Sequence, residues 1–89
     1  MADETVLRVK GTASVPPLAS AISHAVYDGK TVTLRAIGAS AVSQAIKAVA
    51  VARGYVAPRG IDLMVIPGFT SVDMPDGQVT AITLRVIAS

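Results

Sequence analysis

Residues 39–53, the run ASAVSQAIKAVAVAR, contain neither glycine nor proline and consist largely of alanine and valine. Such a stretch forms a helix, since alanine has the highest intrinsic helix propensity. Its apolar positions do not fall on one narrow stripe. Val42, Ala45, Ile46 and Val49 fill one face, and Ala41, Ala48, Val51 and Ala52 continue around the cylinder. A helix that is apolar nearly all round is covered on more than one side. The reading adopted here lays one side on the chain's own sheet. The other, through Ala41, Ala48, Val51 and Ala52, meets a second subunit. Alanine chosen for propensity alone is the alternative, but Val51 does not fit it, because β-branched residues lose rotamer freedom in helices.

The rest of the chain alternates strand and helix signals around that segment. Thr5–Lys10 alternates apolar and polar residues, as a strand with one buried face does. Ser14-Val15-Pro16-Pro17 reads as a helix start, with a hydroxyl able to cap free amides and prolines in the first turn. Leu18, Ile22, Ala25 and Val26 then share a face, and Gly29 closes the helix. Thr31–Ile37 is β-branched and alternating, a second strand. The second helix is expected over Ala39–Arg53 with Gly54 as its stop. Ile61–Ile66 is a third strand, and Pro67-Gly68 is expected to bend the chain out of any central ladder. Asp76-Gly77 suits a tight turn, and Val79–Ile87 is a fourth strand. The order β-α-β-α-β-β predicts one α/β domain over residues 1–89. Its architecture is an α+β two-layer sandwich: a four-stranded mixed sheet with two helices on one face, placed there by right-handed crossovers. Arg8 and Arg85 are expected outward or at strand margins, and Arg35 opposite buried Leu34.

Composition narrows the function classes. A chain of 89 residues buries only about 60% of its unfolded surface, so self-association helps it. Aromatics make up 3% of the residues (Tyr27, Tyr55 and Phe69), too few to build the stacking platforms that single-strand binders use. With no cysteine and His24 alone among histidines, thiolate and histidine metal sites lack ligands. Asp73 and Asp76 fit a solvated turn better than a metal site. No nucleophile has a plausible base, no nucleotide-binding glycine loop occurs, and no cofactor is expected. The expectation is a non-enzymatic protein. The amino-terminal MADETVLRVK lacks a signal-peptide pattern, and no apolar run is long enough to span a bilayer, so a cytoplasmic location is expected. The net charge of +2 is compatible with nucleic acid without requiring it.

A candidate anion site starts where the second helix begins. Gly38 lets backbone come close to a phosphate, and the free amides and positive dipole end lie beside Ser40. Gln44 and Lys47 follow on the same strip. Read structurally, Ser40 is a cap, Gln44 and Lys47 are solvated, and Gly38 fits a turn.

The stretch AIGASAVSQAIKAVAVARGYVAPRGIDLMVIPGF, with Arg53–Pro58 and Ile66–Phe69 as its most distinctive parts, resembles the stage V sporulation protein S (SpoVS) family. The likeness extends less tightly from Val6 to Val86. That family is similar to the Alba group of chromatin and RNA-binding proteins. The resemblance implies an Alba-like fold, a homo-oligomer (dimer or tetramer), binding to DNA or RNA, and a link to sporulation or developmental regulation. It implies no catalytic residue. Only part of the Alba basic pattern is present: Lys10 alone follows the first strand, Arg35 alone survives of a basic stretch ending at Ala39, and Gly68–Gln78 holds no Lys or Arg. Two readings follow. One is a module that sets Lys10, Arg35, Gly38, Ser40, Gln44, Lys47, Arg53 and Arg59 against phosphate backbones. The other is a protein-interaction and assembly module without direct nucleic-acid contact. Neither involves a membrane.

Overall fold

The computed structural model describes residues 3–89. The chain folds as β1 (Glu4–Val9), α1 (Val15–Tyr27), β2 (Thr31–Ala36), α2 (Ala39–Val56), a short 3-10 turn (Ala57–Arg59), β3 (Leu63–Met74) and β4 (Gly77–Ala88). The four strands form one mixed sheet in the order β1-β2-β4-β3, with β1 parallel to β2 and β4 antiparallel to both its neighbours. The expected element order and sheet are the observed ones.

Period-two alternation decides what the sheet buries. Val9, Val32, Leu34, Ala36, Leu84 and Val86 point to the side carrying the helices and are buried there. Ile22 and Ala19 from α1 and Val49 and Val56 from α2 close over them. The register sets Arg8 beside Arg35, and Arg85 opposite Thr33, on the sheet's other side, as the alternation predicted.

The packing of α2 differs from the expectation. Ala41, Ala48 and Ala52 are 1%, 0% and 0% exposed, so the surface proposed for a second subunit is the protomer's own core. Ile46, expected inward, is 44% exposed, and Val51 lies at the rim at 37%. The cause is steric. The helix packs closely against α1 and also rests on the sheet, and alanine fills most of that contact beside Val49 and Val56. Ile46 and Val51 are turned to the flanks.

Three boundaries also moved. Helix α2 runs through Gly54 to Val56 and stops only at Gly60, which takes the left-handed conformation (φ 75°) that few residues tolerate. Gly54 has open space around it and costs the helix only about 1 kcal/mol of propensity. Val56, fully buried, holds the last turn down. Strand β3 continues through Pro67-Gly68 in unbroken register from Leu63↔Ala88 to Met74↔Gly77. It is an edge strand, where proline is tolerated. The two-residue loop is Pro75-Asp76, with Gly77 already pairing in β4. Beyond the pair Phe69↔Ile82 the hairpin has no third strand beside it, so its distal half projects as an arm.

Asp62 receives Arg53 through Nε at 2.7 Å and Nη2 at 3.2 Å, and it accepts the Leu63 amide at 2.8 Å. The pair ties α2 to the entrance of β3. The hydrogen bond from Arg53, then that from Leu63, holds the Asp62 carboxyl below its ordinary value. Lowered in the folded state, this group contributes stability at pH values above the ordinary carboxyl range. The contribution is lost as pH falls through the folded value.

Two measurements check this packing. Ala48→Leu forces a larger side chain into a filled layer and lowers unfolding stability by about 1–3 kcal/mol in urea titrations; a surface position would tolerate it. In Arg53→Ala the Asp62 titration midpoint, followed by carbonyl NMR, rises toward the ordinary aspartate value but stops short of it, because the Leu63 amide remains. An unchanged midpoint would mean the pair is not formed in solution.

Candidate nucleic-acid interface

The eight residues expected to meet phosphate do not converge. They divide between the two ends of α2 and between the two layers. From Ser40 to Arg53 the helix rises roughly 20 Å.

At the amino-terminal end, Gly38 and Ser40 open α2, and the chain just after Lys10 reaches Ser40 through Gly11. Gly38 has φ 90° and ψ 160°, a conformation open essentially to glycine alone, and this permits the sharp exit from β2 into α2. The loop after β1 folds back onto the helix start. A Cβ on Gly11 would lie 3.1 Å from Ser40 Cβ and Oγ. Gln44 Nε2 donates to the Ala13 carbonyl at 2.8 Å. Gln44 therefore holds this loop in place, and the donor assigned to phosphate is already used. Ser40 makes no capping bond to the helix it opens.

At the other end, Arg53 is committed to Asp62, a contact that also raises its pKa. The Arg59 guanidinium lies over the Tyr27 ring, 4.0 Å from its centroid. Tyr27 Oη in turn donates to the Tyr55 carbonyl at 3.0 Å, which joins α1 to α2. These two arginines brace the fold. Lys47 stands exposed on the helix layer, away from the open side of the sheet that carries Arg35.

The open side of the sheet adds two cations, Arg8 and Arg85, that sequence reasoning left out of the site. Arg8 and Arg35 are neighbours across β1 and β2, Arg85 follows one strand over, and Lys10 continues the β1 alternation. These are four of the chain's eight Lys and Arg residues. Among the described residues the only ion pair is Arg53–Asp62, so none of these four cations is engaged in a salt bridge. Like charges on adjacent strands repel and destabilise a sheet. An unneutralised row of this kind is a surface suited to anions. The signal was present in the sequence: Arg8, Arg35 and Arg85 all fall on the polar phase of their strands.

The arm reaches the same area. Arg8, Lys10, Arg35 and Ile37 on the sheet, with Val72 and Met74 on the arm, line a cavity of about 550 Å³. Asp73 also borders it, with its carboxylate accepting from Gln78 Nε2 at 3.0 Å. Apolar surface is exposed along the β3 edge and on the adjoining flank of α2: Phe69 is 78% exposed, Met64 56%, Ile66, paired with Arg85 on the open side, 48%, and Ile46 44%. Among the described residues no cluster of three or more His, Cys, Asp or Glu comes together, and no helix is long and apolar enough to cross a membrane.

Two comparisons place this architecture. Alba from Thermoplasma volcanium superposes with a TM-score of 0.63 at 13% identity, covering 96% of this chain and 99% of that one, a likeness of fold. The family model for stage V sporulation protein S matches residues 5–89, from the second residue of β1 to the end of the described chain. On the strength of that match the chain belongs to the stage V sporulation protein S (SpoVS) family, built on an Alba-like fold.

Proposed function

We propose that this chain is a small, single-domain, non-enzymatic regulatory protein that binds nucleic acid through the phosphate backbone. The observation that carries the reading is the unpaired row Arg8, Arg35 and Arg85 with Lys10 on the open side of the sheet. Arginine presents a planar fork of donors that matches phosphate oxygens. Contacts of this kind position a protein on DNA or RNA without reading base sequence. Lys10 also links the row to Gly38 and Ser40 at the start of α2, where helix amides add further donors. The fold of an Alba protein and the family's sporulation name are consistent with a nucleic-acid-linked role in sporulation or developmental regulation.

The chain acts as a homo-oligomer, and its seam is the β3 edge with the flank of α2. Ile46, Val49, Ala50 and Met64 line a shallow apolar groove between those elements. Phe69 stands exposed farther along the same edge. A second copy is the occupant that suits a domain with so small a core. The same apolar edge, with an arm that carries Asp73 and Asp76 and no cation, favours the alternative of an assembly module that docks proteins.

Fluorescence anisotropy with labelled DNA and RNA at several salt concentrations separates the two readings. Wild type binds at low salt, and Arg8→Ala with Arg35→Ala reduces the slope of log K against log salt by about two for duplex DNA, one per lost phosphate contact. Lys47→Ala, on the other layer, changes little. Absence of binding at low salt removes the nucleic-acid reading. For the seam, Met64→Lys together with Phe69→Lys lowers the mass in light scattering, since an unpaired charge in an apolar contact is costly; an unaltered mass means the copies meet elsewhere.

A further inference from the structure

We infer that the cavity beneath the hairpin arm is a site for a single nucleotide, with its phosphate on Arg8, Lys10 and Arg35 and its base against Ile37, Val72 and Met74. The inference deepens the nucleic-acid reading and rests on it for the choice of ligand class. Four features of the cavity lead there. Its volume, about 550 Å³, lies within the range of small-ligand sites, about 300–1,000 Å³. Its two walls differ in kind: three cations stand on the sheet, and apolar side chains stand on the arm and at the end of β2. A ligand that satisfies both is an anion attached to an apolar body. Phosphate is the matching anion, because neighbouring arginines offer paired donors and none of the three cations is held in a salt bridge among the described residues. Asp73, the one acid at the rim, is engaged by Gln78.

The body is best matched by a flat ring. Methionine sulfur makes favourable contacts with aromatic rings and adapts to their shape, and Met74 is 46% exposed at this cavity. Arginine planes also stack on rings. A base buried in a duplex cannot enter a cavity bounded by a hairpin, whereas a free nucleotide or a nucleotide of a single strand can. The apolar wall therefore distinguishes single-stranded from duplex partners, a discrimination the cation row alone cannot make.

The test uses the full chain, isotope-labelled for amide NMR, with adenosine 5′-monophosphate, inorganic phosphate, a ten-nucleotide single strand and its duplex as probes. Adenosine monophosphate is expected to shift amides on both walls, including Ile37, Val72 and Met74, and to bind more tightly than inorganic phosphate. Met74→Ser, a neutral exposed substitution on the arm, weakens the nucleotide by about tenfold and inorganic phosphate by much less. Arg8→Ala weakens both by about tenfold, the loss of one charge-assisted contact. Shifts on both walls from the single strand as well identify a strand as the source of the nucleotide; shifts from the mononucleotide alone identify a free ligand, and either result supports the site. If the nucleotide binds no better than inorganic phosphate, or Met74→Ser leaves its affinity unchanged, the inference is overturned. Duplex binding that depends on Arg8 and leaves the arm signals unmoved overturns it too, while sparing the backbone-binding reading.

Discussion

The contact on which this fold depends is the close packing of the alanine face of α2 inside the protomer, against α1 above all and against the sheet. Ala45, Ala48 and Ala52 are fully buried there. In a chain with three aromatic residues, the core has no bulky groups with which to fill a wider gap. The interior is instead thin and dense, built from short side chains at small separations. Interiors packed in this way transmit even a single added methylene to their neighbours. The same closeness pushes Ile46 and Val51 outward and so creates the apolar surface that a second copy can cover.

Much of this architecture was legible in the sequence. Alternation in Thr31–Ala36 and in the Ile82–Val86 part of β4 gave the buried phase correctly, and with it the positions of Arg35 and Arg85. Gly29 ended its helix where expected. What the sequence did not settle was which side of an almost uniformly apolar helix faces inward. Val42, Ile46 and Val49 are the larger residues, and size suggested burial. The deciding factor was the distance between layers, a property of the assembled protomer that no local window contains. Gly54 and Pro67 misled for a related reason. Each is a breaker by propensity, but each sits at a position that tolerates it: an open helix face and an edge strand.

The candidate site was legible in part. Lys10 and Arg35 line one cavity with Arg8, while Gly38 and Ser40 stand at the start of α2. Gln44, Arg53 and Arg59 were chosen for their chemical type, but each has a partner within the fold, in Ala13, Asp62 and Tyr27. A polar side chain that already holds two elements together is poorly free to hold a ligand. The cations left for a partner are those on the sheet, which form no ion pair among the described residues. Partner availability, more than position along the sequence, separates the bracing arginines from the binding ones.

Pro67 has a consequence for how copies of this chain can meet. Strand β3 forms one free margin of the sheet, and such a margin offers a row of amides and carbonyls to any other extended chain. Proline has no amide hydrogen, so the row is interrupted near the middle of β3. Growth of the sheet from one molecule into the next is discouraged at that point. Association along this margin is thereby directed to side chains, which favours closed assemblies of defined size over open-ended fibres.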